Sequence, residues 1–316
     1  MFQNTAKVTV VGVGGVGGAV SAMLIKRYGD QVSLVARGKR KERLEKDGLT
    51  IQGDFTGSFT VKPGRVCEDP AELGVQDVVL VCVKNDAIPK VAKQILPIVG
   101  ENTLVLPVMN GVTAYRKLRE ALPKGIVLPS VIYIVSMSAP DFSIIQKGKY
   151  MQVKTGVQPG DEAHAELAAQ AVKFFQETGI DWSYSENVLA DIWKKYILNC
   201  AYNVSTARWG CTIGDIKSDE GRRAEYRALL EEAAAVAKAE GIPIPEDQVE
   251  IEMNRLSRTR SDSTSSLSRD FAEQKAGEME VFSGDLVRMA NETGVSVPVS
   301  EQYYQAMKEI AAAFPS

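Results

Sequence analysis

Apolar residues in the first half of the chain fall into short β-branched runs that alternate with helix-forming segments. The strand-like runs are 7–11, 31–35, 77–83 and 103–107, and the helical segments are 19–28 and 87–98. Runs this short, bounded by turn residues, are typical of buried strands. Strands that alternate with helices predict a parallel sheet and therefore an α/β fold.

Two other parts of the first half have a different pattern. Residues 48–66 and 126–157 are strand-like, and the first of them is rich in turn residues and alternates polar with apolar positions. Such alternation is typical of strands with one solvated face. We expect antiparallel strands that extend the parallel sheet.

The second half is predicted to be helical throughout. Long helical patterns cover 187–207, 219–240, 268–292 and 300–313. The polar stretch from Arg255 to Arg269 is expected to be a solvated loop that leads into a helix. A length of 316 residues favours two domains. The pattern changes near Ser183 to Glu186, which places the domains at 1–184 and 185–316.

Charge and cysteine content narrow the class of protein. The 37 basic and 40 acidic residues are mixed along the chain, which argues against a nucleic acid partner. Cys67, Cys82, Cys200 and Cys211 are dispersed, so we expect buried free thiols in a reducing compartment and no metal site. Residues 1–12 lack the pattern of a secretion signal, and no apolar run reaches the roughly 18 residues of a membrane helix. We expect a cytoplasmic protein with no membrane partner.

A glycine-rich turn follows the first predicted strand and precedes the first predicted helix. Its residues are Gly12, Val13, Gly14, Gly15, Val16 and Gly17. In this context glycines allow a tight turn, close approach of the backbone to a pyrophosphate, and close packing of the helix on the strand. The helix N-terminus stabilises the phosphate charge. The turn predicts a Rossmann-type dinucleotide-binding domain over residues 1–184.

The end of the second predicted strand indicates which dinucleotide binds. An acidic residue there selects the free 2′-hydroxyl of NAD, whereas this chain has Arg37 followed by Lys39, Arg40 and Lys41. The planar fork of an arginine can make two charge-assisted bonds to a phosphate. Arg37 therefore favours NADPH as the cofactor, and the three basic residues after it are interpreted as a solvated helix start.

Reduction of a ketone by hydride transfer needs a proton donor near the developing alkoxide. The one histidine, His164, lies in a polar stretch and is expected on the surface. Tyr150 and Lys154 have the spacing of a Tyr-x-x-x-Lys pair but lie in strand-like sequence. Tyr304 and Lys308 have the same spacing but lie near the C-terminus. A lysine elsewhere is the better candidate for the acid.

One predicted helix carries a polar stripe that contains a lysine. Lys195, Asn199 and Asn203 lie four residues apart within 187–207 and so share one side of the helix. Asparagine is a poor residue for a helix interior. Two asparagines in line with a lysine imply hydrogen bonds either to a ligand or to neighbouring backbone, and the sequence leaves both open.

Glu278 interrupts the apolar stripe formed by Phe271, Phe282 and Leu286 on the predicted helix 268–292. A buried carboxylate strongly destabilises a protein unless it is paired. Lys195 is a candidate partner. The pair is then either part of a reactive site or an ordinary core salt bridge.

Taken in order along the chain, these residues resemble the ketopantoate reductase (2-dehydropantoate 2-reductase) family of NADPH-dependent reductases over nearly the full length. The matching blocks are the glycine turn, Val35-Ala-Arg37-Gly38, Val83-Lys84-Asn85, Met109-Asn110-Gly111, the helix from Trp193 to Asn203, and Ser265 to Asp270 with Glu278. Several blocks in the right order are far more specific than any one of them.

The resemblance implies a role for each of these residues. Lys195 would be the general acid at the keto oxygen, and Glu278 would orient Lys195 or bind a substrate hydroxyl. Asn110 would position the substrate near the nicotinamide, and Lys84 would lie beside the nicotinamide ribose or the keto oxygen. Arg37 would bind the 2′-phosphate of NADPH. The substrate would be held by Asn199, Asn203 and Ser266.

The chain departs from the family pattern at three positions that bear on the substrate. Val204 stands where the family commonly has proline, Ser283 where it has asparagine, and Ile213 where it has a further substrate-contacting asparagine. The pocket is thus expected to be less polar than ketopantoate requires. The resemblance implies the type of reaction more firmly than the substrate.

The leading hypothesis is NADPH-dependent reduction of a small 2-keto acid, foremost 2-dehydropantoate to pantoate. A β-hydroxyacid or opine-type dehydrogenase is a second hypothesis, because it also joins a nucleotide domain to helices. A catalytically silent NADP-binding sensor is a third, and the presence of Lys195 and Glu278 speaks against it. The oligomeric state is open, although the apolar end from Ile310 to Phe314 offers a contact for a homodimer.

Overall fold

The computed structural model describes residues 5–315, and the chain divides into two compact units after Val188. The expectation about a secretion signal rests partly on Met1 to Asn4, which lie outside the described residues. Within the described part of the chain, every strand belongs to the first unit, and the second unit is helical. The predicted fold class, an α/β N-terminal part with an all-helical C-terminal part, is confirmed.

The first unit is built on a parallel sheet. Across it the strands lie in the order β5 (Arg65–Cys67), β2 (Val32–Val35), β1 (Val8–Val11), β6 (Val78–Val81), β7 (Leu104–Pro107) and β8 (Ile126–Val127). The chain runs outward from β1 to β2 and β5, and then returns to β6 on the other side of β1. Each neighbouring pair is parallel, so the carboxyl ends of all these strands lie at one edge of the sheet.

Helices pack on both faces of this sheet because alternate strand residues point to opposite sides. The helices of the first unit are α1 (Gly15–Tyr28), α2 (Gly38–Asp47), α3 (Ile88–Ile95), α4 (Ala114–Ala121) and α5 (Ala165–Gln176). Val8 and Val10 of β1 join the hydrophobic core that contains α1. Val11 joins the core that contains α3 and α4.

Most of the two regions expected to extend the parallel sheet forms a second sheet instead, which corrects that prediction. Only their outer ends, in β5 and β8, join the parallel sheet, and they pair with it in parallel. The second sheet contains β3 (Leu49–Gly53), β4 (Gly57–Val61), β9 (Ser130–Ser138), β10 (Ile144–Thr155) and β11 (Asp181–Tyr184). The β3–β4 and β9–β10 pairs are antiparallel, as expected. Helix α1 contacts strands of both sheets, and Ile144 of β10 shares a core with Val10 of β1.

The second unit is a set of helices. They are α6 (Val188–Trp209), α7 (Ile213–Ser218), α8 (Glu220–Ala239), α9 (Gln248–Arg258), α10 (Ser266–Ala272), α11 (Asp285–Thr293) and α12 (Pro298–Ala312). Helices α6, α8 and α12 agree with the predicted helices, whereas α7 and α9 were not predicted. The loop expected from Arg255 to Arg269 is shorter than predicted, because its two ends belong to α9 and α10.

The single helix predicted over 268–292 is wrong. Helix α10 ends at Ala272, and Gln274 and Gly277 then adopt positive φ values of 55° and 56°. A right-handed helix cannot continue through such residues. The chain resumes as a π-helical turn at Glu280–Gly284, which leads directly into α11.

The cysteines are free thiols, as predicted. Cys67, Cys200 and Cys211 are buried, and Cys82 is half-buried. Between residues 5 and 315, the structure contains no helix that is both long and apolar enough to cross a membrane.

Candidate functional site

The first group of candidate residues lies at the carboxyl edge of the parallel sheet. The glycine turn follows β1, Arg37 follows β2, Lys84 follows β6 and Asn110 follows β7. Strand order reverses between β1 and β6. In open α/β sheets, ligands bind at the carboxyl ends of the strands where the order reverses. The tertiary structure thus brings these four segments to the edge where a dinucleotide is expected.

The glycine turn is shaped for close packing on one side and open on the other. A Cβ atom added to Gly17 would lie 1.9 Å from the carbonyl oxygen of Gly12, so this position has no room for a side chain. A Cβ atom added to Gly14 would meet nothing within 4 Å. Gly14 is also the N-cap of α1, whose first backbone N–H groups need acceptors. The open space beside Gly14 therefore fits a phosphate group.

This contrast makes a testable prediction. Gly14→Ala should fold normally but weaken NADPH and NADH binding alike by about tenfold, roughly 1.4 kcal/mol, because the methyl group fills the phosphate space. Gly17→Ala should destabilise the fold by about 3 kcal/mol through overpacking. Urea unfolding and nucleotide fluorescence titration measure the two effects. Normal binding by a folded Gly14→Ala protein would contradict the assignment.

Arg37 lies at the point where β2 leads into α2. It is exposed and is the N-cap residue of α2, with an extended backbone. Its guanidinium is therefore available to a ligand at the carboxyl edge. The following helix N-terminus adds backbone N–H groups that favour an anion.

Arg40 is not part of a solvated helix start, which corrects that interpretation. Its guanidinium donates to the carbonyl oxygen of Val13 in the glycine turn and to the hydroxyl of Ser138, at 3.2 Å for the latter. It also lies over the ring of Phe142, 4.8 Å from the centroid. Burial lowers the pKa of Arg40. Arg40 thus fixes the glycine turn to α2 and β9, a role that the sequence does not reveal because these segments are remote from one another.

The loops after β6 and β7 are joined by a buried asparagine. Asn85 is 4% exposed, and its Nδ2 donates to the carbonyl oxygen of Asn110 at 2.7 Å. Lys84, next to it, is exposed and Asn110 is half-buried. Asn85 therefore sets the backbone position of Asn110. The sequence indicates Asn85 only as a neighbour of Lys84.

The second group of candidate residues lies in the helical unit, around Lys195. This half-buried lysine of α6 has a pKa lowered from 10.5 to about 8, because desolvation disfavours its charged form. The charge of Glu278 acts in the opposite direction and raises the pKa of Lys195. Glu278 is therefore close enough to Lys195 for its charge to act on the lysine, which is consistent with the pairing that the sequence suggested.

Glu278 itself is placed differently from the sequence expectation. It does not interrupt an apolar helix stripe, because it lies in the turn between α10 and the π-helical turn. Its backbone carbonyl accepts from the N–H groups of Val281 and Phe282, at 3.0 and 3.1 Å. The backbone of Glu278 is thus held by the first residues of the segment that follows it.

The polar stripe of α6 continues through Asn199 and Asn203 to α10. The Nδ2 of Asn203 donates to the Oδ1 of Asn199 at 3.2 Å, and its Oδ1 accepts from the hydroxyl of Ser266 at 3.1 Å. The backbone N–H of Leu267 also points to this Oδ1, at 3.4 Å. Asn203 is buried, whereas Ser266 is exposed. The sequence left open whether these asparagines bond to a ligand or to neighbouring groups, and the hydrogen bonds of Asn203 go to neighbouring groups. The exposed Ser266 hydroxyl is accessible to a ligand.

The other candidate acids lie elsewhere. His164 is half-buried, rather than exposed as expected, at the end of a 3-10 turn. Tyr150 and Lys154 lie on β10. Tyr304 and Lys308 lie on α12, where the Tyr304 hydroxyl donates to Glu280.

The three positions that depart from the family pattern are all buried. Val204 is 1% exposed, Ile213 0% and Ser283 2%. Their side chains pack inside the helical unit, so the departures change its packing directly. Within residues 5–315, no three His, Cys, Asp or Glu side chains are grouped so that they could hold a metal ion.

The chain matches the models of two domains of one protein family. Residues 8–160 match the model described as "Ketopantoate reductase PanE/ApbA", and residues 187–311 match "Ketopantoate reductase PanE/ApbA C terminal". The two matches together cover most of the chain, including both groups of candidate residues.

Individual relatives agree with this result. The chain is 28% identical over 260 residues to a 2-dehydropantoate 2-reductase of Mesorhizobium japonicum, covering 76% of this chain and 78% of that protein. It is 26% identical over 298 residues to YkpB of Bacillus subtilis, named an uncharacterized oxidoreductase, covering 94% and 96%. The crystal structure of a PanE/ApbA family ketopantoate reductase from Ralstonia eutropha superposes with a TM-score of 0.86 at 29% identity, covering 96% and 98%. The chain therefore belongs to the ketopantoate reductase PanE/ApbA family, a family of NAD(P)-dependent oxidoreductases.

Proposed function

We propose that this protein uses NADPH to reduce a 2-keto acid to the 2-hydroxy acid, with Lys195 as the general acid. The observation that carries the proposal is the desolvated Lys195, whose pKa is lowered to about 8 beside Glu278. A general acid works best when its pKa lies near the operating pH. A lysine with an ordinary pKa would hold its proton too firmly for this task.

The residues of the first unit fit NADPH. The open space at Gly14 and the N-terminus of α1 suit the pyrophosphate, and the exposed Arg37 at the start of α2 suits the 2′-phosphate. Arg40 supports this site by fixing Val13 of the glycine turn. Gly12, Gly15, Val16 and Gly17 complete the turn.

NADPH, when bound, supplies the hydride that adds to the keto carbon. The remaining chemistry falls to side chains of the protein. The ammonium of Lys195 stabilises the negative charge that develops on the keto oxygen and then transfers a proton to it. Glu278 favours the protonated form of Lys195 in the resting enzyme. In the proposed mechanism, Glu278 also orients Lys195 or binds a substrate hydroxyl.

The other polar residues bind the substrate and the nicotinamide end of the cofactor. The Ser266 hydroxyl is exposed at the start of α10, and Asn203 directs it through their hydrogen bond. Asn199 lies between Lys195 and Asn203 on α6 and offers its amide to the substrate. In the first unit, Lys84 and Asn110 lie on loops fixed to each other by Asn85.

For the substrate we propose 2-dehydropantoate, which the names of several relatives specify. A different 2-keto acid is the second candidate. It is favoured by the buried apolar side chains of Val204 and Ile213, at positions where the family pattern has proline and asparagine. An apolar pocket discriminates poorly between substrates that differ by one methylene group, so related branched 2-keto acids are natural competitors.

A panel of substrates tests the proposal directly. Purified protein is assayed with 2-dehydropantoate, other 2-keto acids and keto acid plus amine pairs, each with NADPH and with NADH, and with 3-hydroxy acids and the oxidised nucleotides NADP+ and NAD+, while absorbance of the reduced nicotinamide is followed. We expect NADPH to be oxidised with at least one 2-keto acid. Activity confined to 3-hydroxy acids, or to keto acid with amine, would instead indicate a β-hydroxyacid or opine-type dehydrogenase. Nucleotide binding without turnover on any of them would favour the sensor hypothesis.

A further inference from the structure

Tyr196 follows Lys195 on α6 and is buried. Its hydroxyl reaches the segment that contains Glu278. Tyr196 is 1% exposed, and its hydroxyl donates to the backbone carbonyl of Val281 at 2.7 Å. Burial raises the pKa of Tyr196 well above its usual value, so the hydroxyl stays a donor. Cys200, one turn further along α6, lies close to the same hydroxyl.

Val281 connects this bond to Glu278. The backbone N–H of Val281 donates to the carbonyl of Glu278 at 3.0 Å. Two hydrogen bonds therefore join the residue beside Lys195 to the backbone of Glu278. The route is short, and buried hydrogen bonds of this kind hold their geometry because an unpaired carbonyl would be costly.

Val281 is also part of the π-helical turn, which is held from its outer side as well. The carboxylate of Glu280 accepts from Arg288 at 3.0 Å and from the hydroxyl of Tyr304 at 2.8 Å. Arg288 donates in addition to Asp285 at 2.7 Å. Single π-helical turns inside helices occur frequently at functional sites. Here the turn is held by Tyr196 on its inner side and by Arg288 and Tyr304 on its outer side.

We propose that Tyr196 is a positioning residue, which holds the π-helical turn so that the carboxylate of Glu278 stays beside the ammonium of Lys195. This inference rests on the proposed function of Lys195. Tyr196 does not touch the reacting atoms in this scheme. It acts through Val281 and Glu278.

Loss of the Tyr196 hydroxyl should change how Lys195 titrates. Desolvation lowers the pKa of Lys195, and the neighbouring Glu278 limits that decrease. If Glu278 moves away, the pKa of Lys195 falls further, so the proton is lost at a lower pH. The charged and titratable groups that face Tyr196 itself are Cys200, Asp285 and Arg288. None of them is removed by the change from tyrosine to phenylalanine.

The test is Tyr196→Phe, assayed for kcat across pH 6 to 10. We expect the alkaline limb of the profile to move down by about one pH unit, the lower end of the effect of a close opposite charge. Glu278→Gln should shift the profile in the same direction and at least as far. Tyr28→Phe is the matched control, because the Tyr28 hydroxyl also donates to a buried backbone carbonyl, that of Phe174, at 2.5 Å in the first unit. It should lower stability without moving the profile.

Arg288→Met provides a second variant in case Tyr196→Phe fails to fold. Arg288 is half-exposed, so its loss is better tolerated, and it loosens the same turn from the outer side. It should move the profile in the same direction by a smaller amount. The role of Tyr196 is overturned if Glu278→Gln shifts the pH profile but Tyr196→Phe does not. If Tyr196→Phe does not fold, an unshifted profile in Arg288→Met has the same meaning. Either result leaves Lys195 as the proposed acid. Full activity of Lys195→Ala would instead reject the proposed function itself.

Discussion

Replacing Lys195 with alanine is expected to lower kcat for 2-keto acid reduction by about 100-fold to 10,000-fold, the usual contribution of a general acid. NADPH binding should not change, because the residues proposed to bind the nucleotide belong to the other unit. Stopped-flow or steady-state oxidation of NADPH measures the first effect, and fluorescence titration of NADPH measures the second.

Lys194→Ala is the matched control for this experiment. Lys194 is the adjacent residue on α6 and is paired with Asp191 at 3.4 Å, so it shares the helix but not the pairing with Glu278. We expect it to keep nearly normal turnover. A folded Lys195→Ala protein with normal turnover on its best substrate would show that the proton comes from another group.

The titration of Lys195 also predicts how the turnover rate of the wild-type protein depends on pH. In the proposed mechanism, reduction requires the protonated form of Lys195, whose pKa is lowered to about 8. The rate should therefore be high below that pH and fall as the pH rises through about 8. Oxidation of the 2-hydroxy acid should show the opposite trend, because it needs the unprotonated amine.

Replacing Arg37 with alanine is expected to weaken NADPH binding by roughly 10-fold to 100-fold. A hydrogen bond to a charged group contributes about 1.5–3 kcal/mol, and each 1.4 kcal/mol is about a tenfold change in affinity. Binding of NADH, which lacks the 2′-phosphate, should change little. Titration of both nucleotides against the variant gives the ratio directly.

Lys39→Ala is the control for Arg37, because Lys39 is an exposed cation two residues along the same helix start. It should reduce NADPH affinity only slightly, and that reduction should disappear at high salt as surface charge is screened. An equal loss of NADPH and NADH binding in Arg37→Ala would mean that Arg37 contacts a phosphate common to both. A strong preference of the normal enzyme for NADH would reject the assignment of Arg37 to the 2′-phosphate.

Part of the apolar segment from Ile310 to Phe314, expected to form a homodimer contact, packs against its own chain instead. The ring of Phe314 packs edge-on against Phe271 of the same unit, with 5.3 Å between centroids. Ile310 is half-buried. The dimer remains a prediction, and light scattering of the purified protein measures it.

Local patterns in the sequence were sufficient for the features that depend on nearby residues. The strand at 7–11, the glycine turn and the helix that follows are consecutive in the chain, so their order alone predicts the nucleotide-binding edge. The stripe of Lys195, Asn199 and Asn203 follows from helical periodicity, and α6 has nearly the predicted bounds. The family resemblance, carried by blocks of this local kind, is confirmed by the family models.

Features that depend on remote segments required the tertiary structure. The second sheet packs against α1, which also contacts the parallel sheet, and the pattern of each strand does not encode which element will cover it. Glu278 lies in a turn because the helix is interrupted at Gln274 and Gly277, where φ is positive. A count of apolar positions does not detect this interruption. The contacts of Arg40 with Val13 and of Tyr196 with Val281 join residues far apart in the chain.

The sequence by itself thus determined the α/β class, the helical second half, the place of the glycine turn and the lysine helix, because each is encoded in a short stretch of the chain. Only the tertiary structure decided that Arg40 fixes the glycine turn, that Asn203 bonds to Ser266, and that Tyr196 is joined to Glu278 through Val281. The physical reason is that a side chain's partners are set by which elements pack together. Burial, hydrogen bonding and pKa all follow from that packing.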